Sequence, residues 1–144
     1  MLGPKDGEHL VHFRDRGAIV IMLGAATGSP ALAMGTQQVM VGTGIPMHRH
    51  FEMDEAFVVL EGSGTVVLDD ARRPIERGST VFIPKTTWHA FENPQEELLL
   101  LWTVTPAGLD SFFRETCSAV GAPPKELSRE QIRAIARAHD TEFR

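Results

Sequence analysis

Along its first 105 residues the chain repeats one pattern: a short apolar run, then a cluster of glycine, proline or small polar residues. The runs are "AIVIML" (18–23), "TQQVMVG" (36–42), "AFVVLEG" (56–62), "GTVVLDD" (64–70), "STVFIP" (79–84), "WHAFEN" (88–93) and "ELLLLWTV" (97–104). Between them fall "EGSG", "DDARR", "RGS", "PKTT" and "NPQEE", rich in the residues that reverse a chain. Six to eight short strands at this spacing predict an all-β sandwich or barrel. Parallel strands would need a crossover, usually a helix, and no helix-length stretch occurs before Thr105. Two runs, "AFVVLEG" and "ELLLLWTV", are apolar at odd and even positions alike. A strand wetted on one face alternates, so both faces of these two are expected to be covered, by the C-terminal helices or by the partner in a homodimer.

The period changes after Thr105. Pro106 and Gly108 interrupt, and "LDSFFRETCSAV" then places Leu109, Phe112, Phe113 and Thr116 at helical spacing. "GAPPKEL" reads as a linker. Ser128 reads as the N-cap of "SREQIRAIARAHDTEF", with Gln131 at the capping-box position and Ile132, Ile135, Ala136 and His139 on one stripe. The expected organisation is a β-barrel over 1–105 with two helices over 106–144 packed on it.

Composition narrows the function classes. At 144 residues the chain is one domain by length. A net charge of −5, with Arg72 and Arg73 the densest basic cluster, argues against nucleic acid as a partner. No apolar run reaches the roughly 18 residues that span a membrane. One stretch imitates a secretion signal, "AIVIMLGAA" followed by "SPALAMG", but 17 residues including Asp6, Glu8 and Asp15 precede it where a signal has a short basic segment. The single cysteine, Cys117, excludes an internal disulfide and reads as a small apolar helix residue. A cytoplasmic protein is expected.

Six histidines stand at 9, 12, 48, 50, 89 and 139. On a strand, His48 and His50 project from the same face, which is how a sheet presents two ligands to one ion. Glu55 opens the next strand after a turn through "FEMD", and His89 comes from another strand behind "PKTTW". Three neutral imidazole nitrogens and one carboxylate on a six-coordinate ion leave two positions for water, dioxygen or substrate. A structural zinc would close a tetrahedron with thiolates, and one cysteine cannot supply them. The set predicts one divalent transition ion (Fe, Mn, Ni, Co, Cu or Zn) held for chemistry. Glu52 and Asp54 are expected in a solvated turn, and His9, His12 and His139, without partners at ligand spacing, at the surface.

Written as motifs, these residues resemble the cupin superfamily. Gly42, His48, His50, Glu55 and Gly62 match its first motif, G-x5-H-x-H-x4-E-x6-G, at every fixed place. Gly78, Pro84, His89 and Asn93 match the second, G-x5-P-x-G-x2-H-x3-N, with Thr86 standing where the family has glycine. That departure touches the shape of the turn before His89, not the ligand. Fifteen residues separate the motifs. The resemblance implies a double-stranded β-helix, or jelly-roll, barrel. The N-terminal strands, "TPAGLDSFF" and "LSREQIRAIARAHDTEF" are similar to small quercetin-dioxygenase-like cupins. Structural roles are expected for the remaining fixed residues: Gly62 and Gly64 in a hairpin, Gly78 before a strand, Pro84 aiming His89 inward, and Asn93 bonding its own backbone.

Alternating positions line the expected pocket with Met40, Met47, Phe57, Val59, Phe82, Trp88, Phe91 and Trp102, a wall suited to a small, flat, mainly apolar organic substrate. The chain has no tyrosine, which excludes a tyrosyl base and a Cys–Tyr crosslink. Arg49, between two ligands, faces away, so a phosphorylated sugar or dicarboxylate is expected to lack a bidentate grip. The resemblance implies a mononuclear metal dioxygenase in which Glu55 is ligand and base together, taking a hydroxyl proton from an enol or hydroxyl substrate. The alternative is a redox-silent isomerase, cyclase or lyase at the same metal. A second alternative is a metal- or small-molecule-binding module without turnover.

Overall fold

The computed structural model describes residues 1–3, 5–93 and 95–144; the predicted turn "NPQEE" contains Pro94, which lies outside the described residues. Twelve strands among the described residues form two antiparallel sheets. The larger sheet has the order β11 (Ser118–Ala119), β1 (Glu8–Val11), β2 (Ala18–Leu23), β3 (Ala33–Val39), β10 (Leu98–Thr105), β5 (Asp54–Glu61), β8 (Thr80–Ile83). The smaller has the order β12 (Thr141–Phe143), β4 (Gly44–His50), β9 (His89–Glu92), β6 (Ser63–Leu68), β7 (Ala71–Glu76). Two helices, α1 (Leu109–Thr116) and α2 (Arg129–Ala138), follow β10. The architecture is the all-β jelly roll that the sequence predicts, and among the described residues no helix is long and apolar enough to cross a membrane.

The core lies between the sheets. Strand β10 sends Leu98, Leu100, Trp102 and Val104 inward, where they meet Ile45, Val66, Ile75 and Phe91 of the smaller sheet in one apolar cluster. Burying each such large side chain contributes about 1.5–3 kcal/mol. Trp102 is accommodated by Gly35 on the neighbouring strand, because a Cβ there would collide with the indole and with the Val20 carbonyl. The opposite parity of β5 and β10, including Val58, Leu60, Leu99 and Leu101, is half-buried on the outer face of the sheet. The two-sided apolar runs therefore alternate between full and partial burial within one chain.

Three elements differ from the sequence reading. Of the expected turn "DDARR", Ala71–Arg73 belong instead to β7, an edge strand whose one buried residue is Ile75; Pro74 is tolerated there because an edge leaves its missing N–H unneeded. The reversal that precedes it is confined to Asp69 and Asp70, with Asp69 at φ 51°. The second helix starts as expected, with Ser128 and Gln131 in a reciprocal capping box, but ends at Ala138. Asp140, at φ 60°, turns the chain, and Thr141–Phe143 pairs with β4. The segment after Thr105 thus supplies edge strands to both sheets as well as two helices.

Candidate metal centre

His48 and His50 point inward from β4, both buried, as the two-residue period requires. Strand β9 lies beside β4 in a register that places His89 opposite His48. Glu55 comes from β5 in the facing sheet and is 2% exposed. One ligand atom from each of His48, His50, Glu55 and His89 lies within 4.8 Å of the others. Glu52 and Asp54 stay outside: Glu52 approaches Lys85 at 3.6 Å and Asp54 accepts the Lys85 N–H at 2.9 Å.

The backbone dictates which ring nitrogen faces the centre. His48 Nδ1 lies 2.8 Å from the Pro46 carbonyl, His89 Nδ1 3.0 Å from that of Thr87, and His50 Nδ1 3.2 Å from that of Asp140. A carbonyl only accepts, so each Nδ1 carries the proton and each Nε2 is left with its lone pair for the centre. Glu55 Oε2 sits 3.0 Å from His89 Nε2 and 3.4 Å from His50 Nε2, yet these three buried atoms lack aligned hydrogen-bond partners. Buried acceptors facing one another cost free energy until a cation joins them. The donor set therefore fits a metal ion, with His48, His50, Glu55 and His89 holding it.

Charge follows the same logic. Burial alone would raise the Glu55 carboxyl, but His50 and His89 beside it hold it well below the usual carboxylate range. Burial, with His89 and His50 alongside, pushes His48 well below the usual imidazole value. Burial also opposes charge on His50, yet Glu55 outweighs it and raises that imidazole.

The C-terminal segment braces this centre. Besides the Asp140 carbonyl on His50, the Asp140 carboxylate accepts the backbone N–H groups of Phe51, Glu52 and Met53 at 2.9–3.2 Å. These residues are the turn between His50 and Glu55, so one side chain fixes the spacing of two ligands. Thr141 Oγ1 adds a contact to His50 Nδ1 at 3.2 Å. Sequence reading placed Asp140 and Thr141 inside a helix. The signal against it was the alternation of Thr141 and Phe143 after a residue suited to a left-handed turn. The turn before His89 keeps a glycine-like shape although Thr86 occupies it at φ 71°, and the Thr86 N–H reaches the His50 carbonyl at 2.6 Å. Asn93 does not bond its own backbone; its amide donates to the carbonyls of Val39 and Met40 at 2.7 and 2.6 Å.

A cavity of about 40 Å³ adjoins His48 and Glu55. Of the eight pocket residues expected from parity, Phe57 lines it. Val59, Phe91 and Trp102 are buried in the core instead. Phe82 is 62% exposed on the outer face of β8. Met47 faces out because it adjoins the inward His48 on β4, and the bulge between Ile45 and His48 is what lets those two residues, three apart, both point inward. The Arg49 guanidinium lies over Trp88, 4.6 Å from the ring centroid, and Met40, the residue after β3, is outside the cavity. The wall also includes Phe13, Ile45, Leu109, Phe112 and Phe113 of α1, Phe143 of β12 and four polar residues, His12, Arg14, Gln37 and Thr141. His12 is not at the surface but 3% exposed, with Nδ1 3.1 Å from Asp15 Oδ1 and 3.3 Å from the Arg14 N–H. Its shared parity with Leu10, also buried, was the available signal. His9 and His139 are partly or fully exposed, His139 pairing with Glu115 at 2.7 Å.

Outside this cavity, and sharing Phe13, Arg14 and Phe143 with it, lies a groove of about 400 Å³. Arg14, Lys125, Arg129, Arg133 and Arg144 line it. Arg49 does face away, as expected, and the cations near the site's approach come instead from the β1–β2 turn and the C-terminal segment.

Residues 35–105 match the cupin domain family. An uncharacterized protein of Aquifex aeolicus is 31% identical over 109 residues, 74% of this chain and 88% of that protein. An uncharacterized protein of Methanocaldococcus jannaschii is 36% identical over 55 residues, 38% of this chain, and the match spans 44% of that relative's length. Among solved structures, a candidate sugar phosphate isomerase of Acidithiobacillus ferrooxidans is similar at 28% identity and a TM-score of 0.59, over 75% of this chain and 76% of that one. A domain match that runs from within β3 to the end of β10 spans every ligand of the centre, and it makes the chain a member of the cupin superfamily.

Proposed function

We propose that the protein is a metal-dependent enzyme that moves a proton on a small organic molecule, as an isomerase or lyase does, at a single ion held by His48, His50, Glu55 and His89. The observation that carries this reading is the set of three buried, unpartnered atoms on His50, Glu55 and His89 facing one another. A divalent ion there supplies Lewis acidity that polarises a carbonyl or hydroxyl oxygen. Around it the chain offers two groups that can hold a proton: Glu55, ionised at the centre, and His12, whose imidazole is oriented by Asp15 on the same cavity. Phe57, Phe112 and Phe113 exclude water from that space. The similar Acidithiobacillus structure, a candidate sugar phosphate isomerase, agrees with this class of chemistry.

Dioxygenase-type oxidation of an enol or hydroxyl substrate is the second reading, favoured by the aromatic lining of the cavity. Protein purified without a histidine tag should carry close to one transition ion per chain, and His89→Ala should lose it. Candidate hydroxy and keto substrates incubated in D₂O should then exchange a C–H proton without oxygen uptake. Substrate-dependent oxygen consumption would install the second reading, and wild-type protein that holds no divalent ion would end both. We also place a second copy of the chain on the half-buried outer face of β5 and β10, where Val58, Leu60, Leu99 and Leu101 lie; light scattering should report a dimer.

A further inference from the structure

The groove outside the cavity has a chemistry of its own. Its five cations come from separate places: Arg14 between β1 and β2, Lys125 in the linker, Arg129 and Arg133 on α2, and Arg144 beyond β12. No aspartate or glutamate lines it, in a chain whose net charge is −5. Among the described residues none of these five forms an ion pair with a carboxylate, whereas Arg49, Arg72, Lys85 and Arg114 all do. Arg14 donates to the Gly44 carbonyl, Lys125 to the carbonyls of Arg114 and Glu115, and Arg133 to the main-chain oxygen of Arg144 at 3.4 Å. These bonds hold three of the cations in place without pairing them to an aspartate or glutamate. Like charges gathered without counter-charge repel one another and focus a positive potential, which an anion relieves.

The floor between them is apolar, made by Leu127, Ile132, Phe13 and Phe143. Phe143 also packs against the ligand His48, ring centroids 5.7 Å apart, so one aromatic ring separates the groove from the metal centre. The two spaces differ tenfold in size: about 40 Å³ inside against about 400 Å³ outside. The inner one has room for about two or three water-sized groups, and the outer falls in the usual range for small-molecule sites. A ligand that reacts at the centre must therefore keep most of its body in the groove.

We propose that the substrate is a small organic anion, a carboxylate or phosphate monoester on a short apolar body, with its reacting end toward His48 and Glu55 and its charge held by Arg129, Arg133 and Arg14. Guanidinium groups suit this task because they grip carboxylate and phosphate oxygens two at a time. The proposal rests on the metal-dependent reading above and names the substrate class for that site.

Phenyl phosphate and benzoate, titrated calorimetrically against metal-loaded wild-type protein, separate the two anion types; benzyl alcohol serves as the neutral control. At least one anion should bind, and the alcohol should not. Affinity should fall about tenfold or more in the Arg129→Ser/Arg133→Ser double variant, and fall again in 0.5 M salt, where the screening length is only a few ångströms. The exposed or half-exposed positions of both arginines on α2 leave the fold intact, which circular dichroism checks. Anion binding unchanged in the double variant, equal binding of the alcohol, or no binding of either anion to metal-loaded protein would overturn the proposal. Metal content, measured on the same samples, reports separately on the centre: full metal with no anion binding defeats the substrate class alone.

Discussion

The metal centre and the basic groove share three residues, Phe13, Arg14 and Phe143, and are assembled by opposite means. At the centre, ligands stand on three strands from two sheets, each Nδ1 is answered by a backbone carbonyl, and the side chains are buried. In the groove, cations stand on a turn, a linker, a helix and the residue after β12, and among the described residues none forms an ion pair with an aspartate or glutamate. The contrast assigns reactivity to the rigid sheets and selection of the substrate to the segments around them. One stretch serves both. Residues 129–144 carry three of the five cations on one side, and Asp140 and Thr141 brace His50 on the other.

That double role can be split by mutation. Asp140→Ala removes the acceptor of three backbone N–H groups and should destabilise the fold by about 1.5–3 kcal/mol, while metal affinity falls about 10- to 100-fold as the His50–Glu55 spacing loosens. Arg129→Ser, on an exposed position of the same segment, should change stability by less than about 0.5 kcal/mol and leave metal affinity alone. Urea unfolding and a chelator competition titration check both.

Acid should separate the regions next. The arginines of the groove keep their charge, but the His12–Asp15 pair between groove and centre does not. Burial depresses the His12 pKa from its ordinary 6.5, so the unfolded chain takes up that proton first and stability falls as pH drops below about 6.5. Burial alone would raise Asp15, but His12 and the Gly17 N–H hold it below its ordinary 3.8; its contribution is present above that value and is lost as pH falls further. Thermal melting of metal-free protein at pH 7.5, 5.5 and 3.5 should show a stepwise decline, and Asp15→Asn should flatten its acid end. A gain in stability is expected at the turn before His89: Thr86→Gly relieves a β-branched residue at φ 71° and should raise stability by up to about 1 kcal/mol in urea titrations.

The ligands were legible because their chemistry and their strand period coincide: His48 and His50 share a face by arithmetic, and Glu55 and His89 complete a set with no other purpose in a buried sheet. The lining was not, since parity counted from a motif survives only until the next bulge. Met47, beside the inward His48, is on the outward parity of β4, while Phe82 sits on a parity that turns outward once β8 pairs with β5. Edge strands escaped for a related reason: β7 buries Ile75 alone, so its sequence shows no alternation to find. Asp140 and the groove arginines were beyond reach because their roles depend on the C-terminal segment returning to β4, a contact across about 90 residues that local pattern does not encode.

The most direct measurement is X-ray absorption at the edge of whichever metal copurifies with the tag-free protein. The account predicts three imidazole nitrogens per ion with oxygen donors completing the shell, and the loss of one imidazole in His89→Ala. A sulfur donor from Cys117, fewer than three imidazoles in the wild type, or an unchanged spectrum in the variant would contradict it.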